Sequence, residues 1–204
     1  MKQDFELGAR SLGFRALVGE GIFTQDDKAW KHSRETLRHR FARMQYQNLK
    51  GFQDHVEYLI DVLKQSEGHV DLQPHFYRMT LDTTIAMILG QPVEDFRHET
   101  GDMFSKAFTK ATLVTATRVR LGVNYWAYAP KGFFKACETV RMYAEQFVRA
   151  VLDKDSEEKG SEDTDNFIHD LNNEYRDISL VRDQVLNILL AGRDTTATTM
   201  SYAL

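Results

Sequence analysis

An almost wholly α-helical fold is predicted by three features of the 204-residue sequence: only three prolines (Pro74, Pro92 and Pro130), few alternating Val/Ile/Thr runs, and apolar residues recurring three and four positions apart. Thr24, followed by Gln25, Asp26 and Asp27, predicts a capping box, so a first helix runs from there to near Met44. Leu49, Phe52, Val56, Leu59, Ile60 and Leu63 recur at helical spacing and predict a second. His69 to Leu72 reads as one short strand, and His75 to Leu89 as a helix that Gly90 closes. Phe104 to Thr117 and Phe134 to Leu152 predict a helical hairpin, joined by an aromatic linker with Tyr125, Trp126, Tyr128 and Pro130. From Asp153 to Asp165, seven acids stand against two lysines, which predicts a solvated loop. The last helix carries the stripe Ile178, Val181, Val185, Ile188.

Size and charge narrow the function classes. A chain of this length hides roughly 70% of the surface its unfolded form exposes, so it is long enough for a core without disulfide staples. Cys137 is the only cysteine, which excludes a disulfide framework. A net charge of −4 argues against wholesale nucleic-acid binding. No run of eighteen apolar residues occurs, and the opening MKQDFELGAR has neither the h-region of a signal peptide nor an apolar anchor.

On the last helix the apolar stripe continues at the same spacing into Gly192, Thr195 and Thr199, turning small and polar. Ordinary packing would continue with Leu or Ile, since Gly costs about 1 kcal/mol relative to Ala in a helix interior. A missing side chain at Gly192 leaves room against the backbone, and Asp194 and Thr195 supply a carboxylate and a hydroxyl able to move protons into it. The residues alone equally allow a helix end whose Thr hydroxyls satisfy carbonyls one turn back. On the first helix Trp30, Arg34 and Arg38 share one face, and six Lys/Arg between residues 28 and 43 face a single acid, Glu35. An indole N–H and a guanidinium one turn apart can bind a carboxylate, while outward Lys and Arg can receive an acidic partner; a solvated basic face anchored by tryptophan is the alternative.

Together the two signals resemble the cytochrome P-450 family, the haem-thiolate monooxygenases. Trp30-Lys-His-Ser-Arg34 fits the family's W-x-x-x-R helix, and Ala191-Gly192-Arg193-Asp194-Thr195-Thr196 fits its A-G-x-[DE]-T-[TS] motif. The motifs stand in the right order, about 160 residues apart. Gly19-Glu-Gly21-Ile-Phe-Thr24, Asp71-Leu-Gln and Arg78-Met-Thr-Leu-Asp-Thr-Thr84 are similar to the microsomal fungal branch that hydroxylates alkanes and fatty acids.

The resemblance implies an all-α partial cytochrome P-450 fold, with the central helices from before the W-x-x-x-R helix to the Asp-Thr helix and most of the β-sheet missing. Residues 1–204 are expected to be one partial domain truncated at both ends. The implied function is haem-dependent insertion of one oxygen atom from dioxygen into an apolar substrate such as an alkane or fatty acid. Asp194 and Thr195 would be catalytic, protonating the distal oxygen. Trp30, Arg34, Ala191, Gly192 and Thr196 would bind the cofactor: Trp30 and Arg34 at a propionate, Ala191 and Gly192 making room for dioxygen. Electrons would come from NADPH through a flavoprotein reductase docked on the basic helix. The intact protein would sit on the cytosolic face of the endoplasmic reticulum membrane, through an anchor absent from this chain. The alternative is a haem-free helical ligand-binding or interaction module.

Departures from the family are equally specific. Its iron-ligand loop, F-x-x-G-x-x-x-C-x-G, is absent, and Cys137 falls on the stripe Cys137, Val140, Ala144, Phe147, Val151, which predicts a buried structural thiol and no metal ligand. This piece alone is therefore not expected to hold haem as a thiolate complex. Glu35-x-x-Arg38 and Glu138-x-x-Arg141 imitate the family's E-x-x-R pair but precede the Asp-Thr helix instead of following it. Arg193 is expected to point outward or pair with an acid, because a charge at that depth needs a partner. The linker from Tyr125 to Pro130, with Phe104, Phe108 and Phe133, forms either a channel lid or plain hairpin packing. Gly19-x-Gly21-x-x-Thr24 lacks the third glycine of a dinucleotide loop, Asp153-x-Asp155-x-Glu157 has Glu158 where a calcium loop needs glycine, and no H-E-x-x-H or G-x-S-x-G is present.

Overall fold

The computed structural model describes residues 6–44, 49–66, 68–89, 99–157 and 167–203. Among them the helices are α1 (Ala9–Val18), α2 (Asp27–Met44), α3 (Leu49–Lys64), α4 (Leu72–Leu89), α5 (Glu99–Arg120), α6 (Phe133–Glu157), α7 (Phe167–Tyr175) and α8 (Ile178–Ala203), with a 3₁₀ segment at Gly122–Ala127. No strand occurs among the described residues. The all-α expectation holds.

Several boundaries differ from those expected, each for a local reason. Residues 69–71 form no strand: Asp71 accepts the Gln73 N–H at 3.1 Å and starts α4, with Pro74 in the first turn where its missing N–H leaves no bond unmade. Thr24 does not cap α2. Its hydroxyl accepts the Gly21 N–H at 2.9 Å and donates to the Gly19 carbonyl at 2.7 Å, closing the preceding loop. Residues 153–157, expected in a loop, are the last turn of α6; residues 158–166, like Gly90, lie outside the described residues. α1 and α7 are short, and neither carries enough periodic apolar positions to stand out in sequence.

α8 is the central element. Every residue from Val181 to Leu190 is buried, so the stripe expected there is instead a half-helix enclosed on all sides. α4 packs along it most extensively, α6, α7 and α1 cover other faces, and α5 and α6 pair with each other. Phe104 and Phe108 stack at 5.6 Å, and Phe104 meets Tyr143 edge-on at 6.3 Å; such pairs are worth about 0.5–1.5 kcal/mol each beyond their burial. A smaller cluster, Leu59, Phe76, Met79 and Ala197, joins α3 and α4 to the far half of α8.

Phe104, Phe108 and Phe133 are all buried in the main core, so they hold the α5–α6 pair together and do not line a channel. The linker folds over Arg118, whose guanidinium donates to the Tyr128 carbonyl at 2.9 Å and lies about equally close to the rings of Tyr125 and Phe133, at 5.0 Å each. Trp126 faces solvent.

Candidate functional site

Asp177 starts α8 by accepting the Ser179 N–H at 2.8 Å, and the helix runs without interruption through the small polar segment. Beyond Leu190 its enclosure opens. Ala191 and Gly192 are partly exposed, while Thr195, Thr196 and Thr199 are exposed. The Thr195 hydroxyl donates to the Ala191 carbonyl at 2.7 Å, and the Thr199 hydroxyl to that of Thr195 at 2.8 Å. These bonds settle each hydroxyl hydrogen and leave the oxygen lone pairs facing outward.

The missing side chain at Gly192 opens no space of its own. A β-carbon there would come within 2.9 Å of Cγ2 of Thr84 and closer still to its hydroxyl. Thr84 in turn donates to the Thr80 carbonyl at 2.7 Å, and Thr80 to the Arg193 carbonyl at 3.0 Å. Glycine is therefore required by the close approach of α4 and α8. The open face lies around the helix from it, at Ala191 and Thr195.

Arg193 does not point outward; it pairs with an acid. It is 1% exposed, donates to Oδ1 of Asp194 at 2.6 Å and to the Thr109 hydroxyl, and lies 4.5 Å above the Tyr77 ring and 5.2 Å from that of Phe108. The residue thereby joins α4 and α5 to α8. Burial pushes the Asp194 carboxyl above its ordinary range, and the Arg193 charge opposes this. Burial likewise lowers the Arg193 pKa, with Asp194 opposing. Asp194 thus titrates above an ordinary carboxyl, with one oxygen held by Arg193.

On α2, the Arg34 guanidinium lies 5.3 Å over the Trp30 ring, the i, i+4 contact expected from spacing. Arg34 is exposed and has no carboxylate partner among the described residues. A neighbouring side of the helix is anchored: Ser33 is fully buried, donates to the Gln25 side chain at 2.6 Å, and accepts from Nε2 of Gln184 at 2.8 Å. Gln184 also donates to the Tyr175 hydroxyl at 3.2 Å. Gln184, Ile188, Ala191 and Thr195 follow one another at intervals of four, three and four, so they share one face of α8. Ser33 therefore tethers α2 to the face that carries Thr195, about 16 Å lower along the helix.

Cys137 is buried, and desolvation pushes its thiol up to about 11 against the weaker pull of Arg118 and Arg141. It lies on α6 as a packing residue. Sequence reasoning missed Ser33, Gln184, Asp183 and Asn187; their signal was the run Arg182-Asp-Gln184 and Asn187 interrupting an apolar helix.

The model of the cytochrome P450 family matches residues 12–204. The chain is 36% identical to cytochrome P450 52A12 of Debaryomyces hansenii over 98% of its own length and 41% of that protein. It is 37% identical to cytochrome P450 52A9 of Candida maltosa over 99% of its length and 41% of the relative. Cytochrome P450 52A1 of Candida tropicalis is 34% identical over 98% of this chain and 39% of that protein. The chain thus spans about two fifths of the length of these relatives. With the family's model matched almost from end to end, the chain belongs to the cytochrome P450 family.

Proposed function

We propose that this chain supplies the proton-delivering helix and the haem-carboxylate-binding helix of a haem-dependent monooxygenase acting on an apolar substrate such as an alkane or fatty acid. The observation that carries the reading is the Gln184–Ser33 bond, which ties α2, the helix that bears Trp30 and Arg34, to the α8 face that continues into Ala191 and Thr195.

The residues present fit haem in two respects. Arg34, exposed and lying over Trp30, is a donor without an acid among the described residues, suited to a propionate. Ala191 and Thr195 form a small-residue surface with outward lone pairs, and Thr196 lies beside it. The thiolate ligand is a different matter: Cys137, buried with its thiol raised to about 11, does not fit that role. Haem, when bound, supplies dioxygen binding and the insertion of one oxygen atom into a C–H bond, drawing electrons from NADPH through a flavoprotein reductase.

The chain's own part is binding and proton movement. Oδ2 of Asp194, the oxygen Arg193 leaves free, carries the proton, and the Thr195 oxygen, oriented by its bond to Ala191, accepts and passes it on. Gly192 sets the distance between α4 and α8 that holds this segment in place. Lys28, Lys31 and Arg38 are exposed and support an acidic reductase docking on α2. Placement at the cytosolic face of the endoplasmic reticulum rests on resemblance to the microsomal fungal branch. No helix among the described residues is long and apolar enough to cross a membrane.

The test is spectroscopic. The chain, extended through a cysteine loop, is incubated with haem and reduced under carbon monoxide. A thiolate-type Soret band is expected. Its absence would overturn the monooxygenase reading in favour of a haem-free helical module.

A further inference from the structure

The loop between α1 and α2 is fastened to α8 by side chains that the proton-delivery reading leaves unused. Oδ2 of Asp183 accepts the Glu20 N–H at 2.9 Å. Oδ1 of Asn187 accepts the Phe23 N–H at 3.0 Å, while its Nδ2 donates to the carbonyls of Val18 at 3.1 Å and Asp183 at 2.8 Å. Both residues lie in the enclosed half of α8, at 4% and 0% exposure. Asp183 is held in turn by Arg182 at 2.9 and 2.7 Å, and Arg182 reaches Glu145 of α6 at 2.8 Å.

Two glycines make this attachment possible. Gly19 has φ of 63°, and a β-carbon there would fall within the Asp183 carboxylate; one on Gly21 would lie 2.6 Å from Cγ of Asn187. Apolar side chains would pack α8 against α1 and α6 without desolvating a carboxylate and an amide, so packing alone does not account for Asp183 and Asn187. What these two add is a fixed register for the loop backbone. α2 begins three residues after Thr24, and its own tether, Ser33, is bonded to Gln184, between Asp183 and Asn187 in the chain. One stretch of α8 therefore holds both the loop and the helix that follows it.

We propose that Asp183 and Asn187 are positioning residues: by holding the Gly19–Thr24 loop they set where α2, with Trp30 and Arg34, stands relative to Ala191 and Thr195. The proposal rests on the reading of α2 as a haem-carboxylate site.

The test uses the haem-loaded protein, with the iron-binding cysteine loop in the same chain, and compares wild type with Asn187→Ala, Asp183→Asn and a packing control, Leu171→Ala on α7. Hydrogen exchange at the Glu20 and Phe23 amides is expected to be slow in wild type and about ten-fold faster in the first two variants. Haem release to an apo-globin acceptor is expected to accelerate about ten-fold in Asn187→Ala. Leu171→Ala should lower the melting temperature yet release haem at the wild-type rate. Should Asn187→Ala fail to fold, Asp183→Asn, which keeps the side-chain shape, carries the comparison. Haem release that simply follows melting temperature across all variants overturns the positioning role, as do unprotected Glu20 and Phe23 amides in wild type. A wild-type protein that takes up no haem instead overturns the functional reading, and the amide protection then stands as a separate result.

Discussion

Gly192 of α8 lies against Thr84 of α4 so closely that a β-carbon on the glycine would overlap the threonine side chain. The motif's glycine is a contact between helices as much as part of a ligand surface. Gly192→Ala should therefore destabilise by about 1–3 kcal/mol through overpacking, despite alanine's better helix propensity. Combining it with Thr84→Ala should recover most of that loss. Urea unfolding of the two single variants and the double variant gives the coupling, and simple additivity would show that the side chains do not meet.

Removing the Arg193 charge should raise the pKa of Asp194 further. In the folded protein burial raises this pKa and Arg193 opposes it, so Arg193→Met leaves burial unopposed. The sign for stability follows: a carboxyl with a raised folded pKa favours folding at low pH, and the contribution is lost as pH rises through the folded value. Asp194 followed by carbon-13 NMR should titrate at higher pH in Arg193→Met than in wild type. A midpoint unchanged or lower would contradict the opposing role of the guanidinium.

Thr195→Ala should separate electron use from product formation. The exposed side chain adds little to stability, within about 0.5 kcal/mol, so the folded protein should survive the change. Product formed per NADPH consumed should fall about ten-fold or more, while Thr195→Ser keeps the hydroxyl and stays near wild type. Coupling that is unchanged in the alanine variant would remove Thr195 from the proton path.

The Cys137 thiol should be inert in the folded protein. With its pKa pushed up to about 11 by burial, almost none is thiolate at neutral pH. A thiol reagent should label Cys137 only in denaturant. Stability tied to this thiol is present at neutral pH and is lost as pH rises through about 11. Rapid labelling of the native protein near neutral pH would show that the site opens readily.

The helical class, the span of α2 and the two motifs were legible in the sequence because periodicity and motif spacing are local properties. Tertiary contacts were not. Thr24 reads as a helix cap, yet its hydroxyl closes the loop before α2; the rival partners Gly19 and Gly21 lie just outside the capping pattern. Gly192 reads as empty space, since no spacing rule places Thr84, more than a hundred residues away, in the gap. Arg193 illustrates the limit most plainly: that a charge at that depth needs a partner is general physics, whereas its seat between Tyr77 and Phe108 depends on how three helices pack.

Arg118 has no carboxylate among the described residues to neutralise it, only a carbonyl and surrounding aromatic rings. Peeling the Tyr125–Tyr128 segment off this cation would trade ring contacts for hydration of a guanidinium, and hydration is what burial had withheld. Uncovering it is consequently cheaper than uncovering an apolar seam of equal area. The crown of the α5–α6 hairpin is thus the portion of the molecule whose detachment water itself would subsidise.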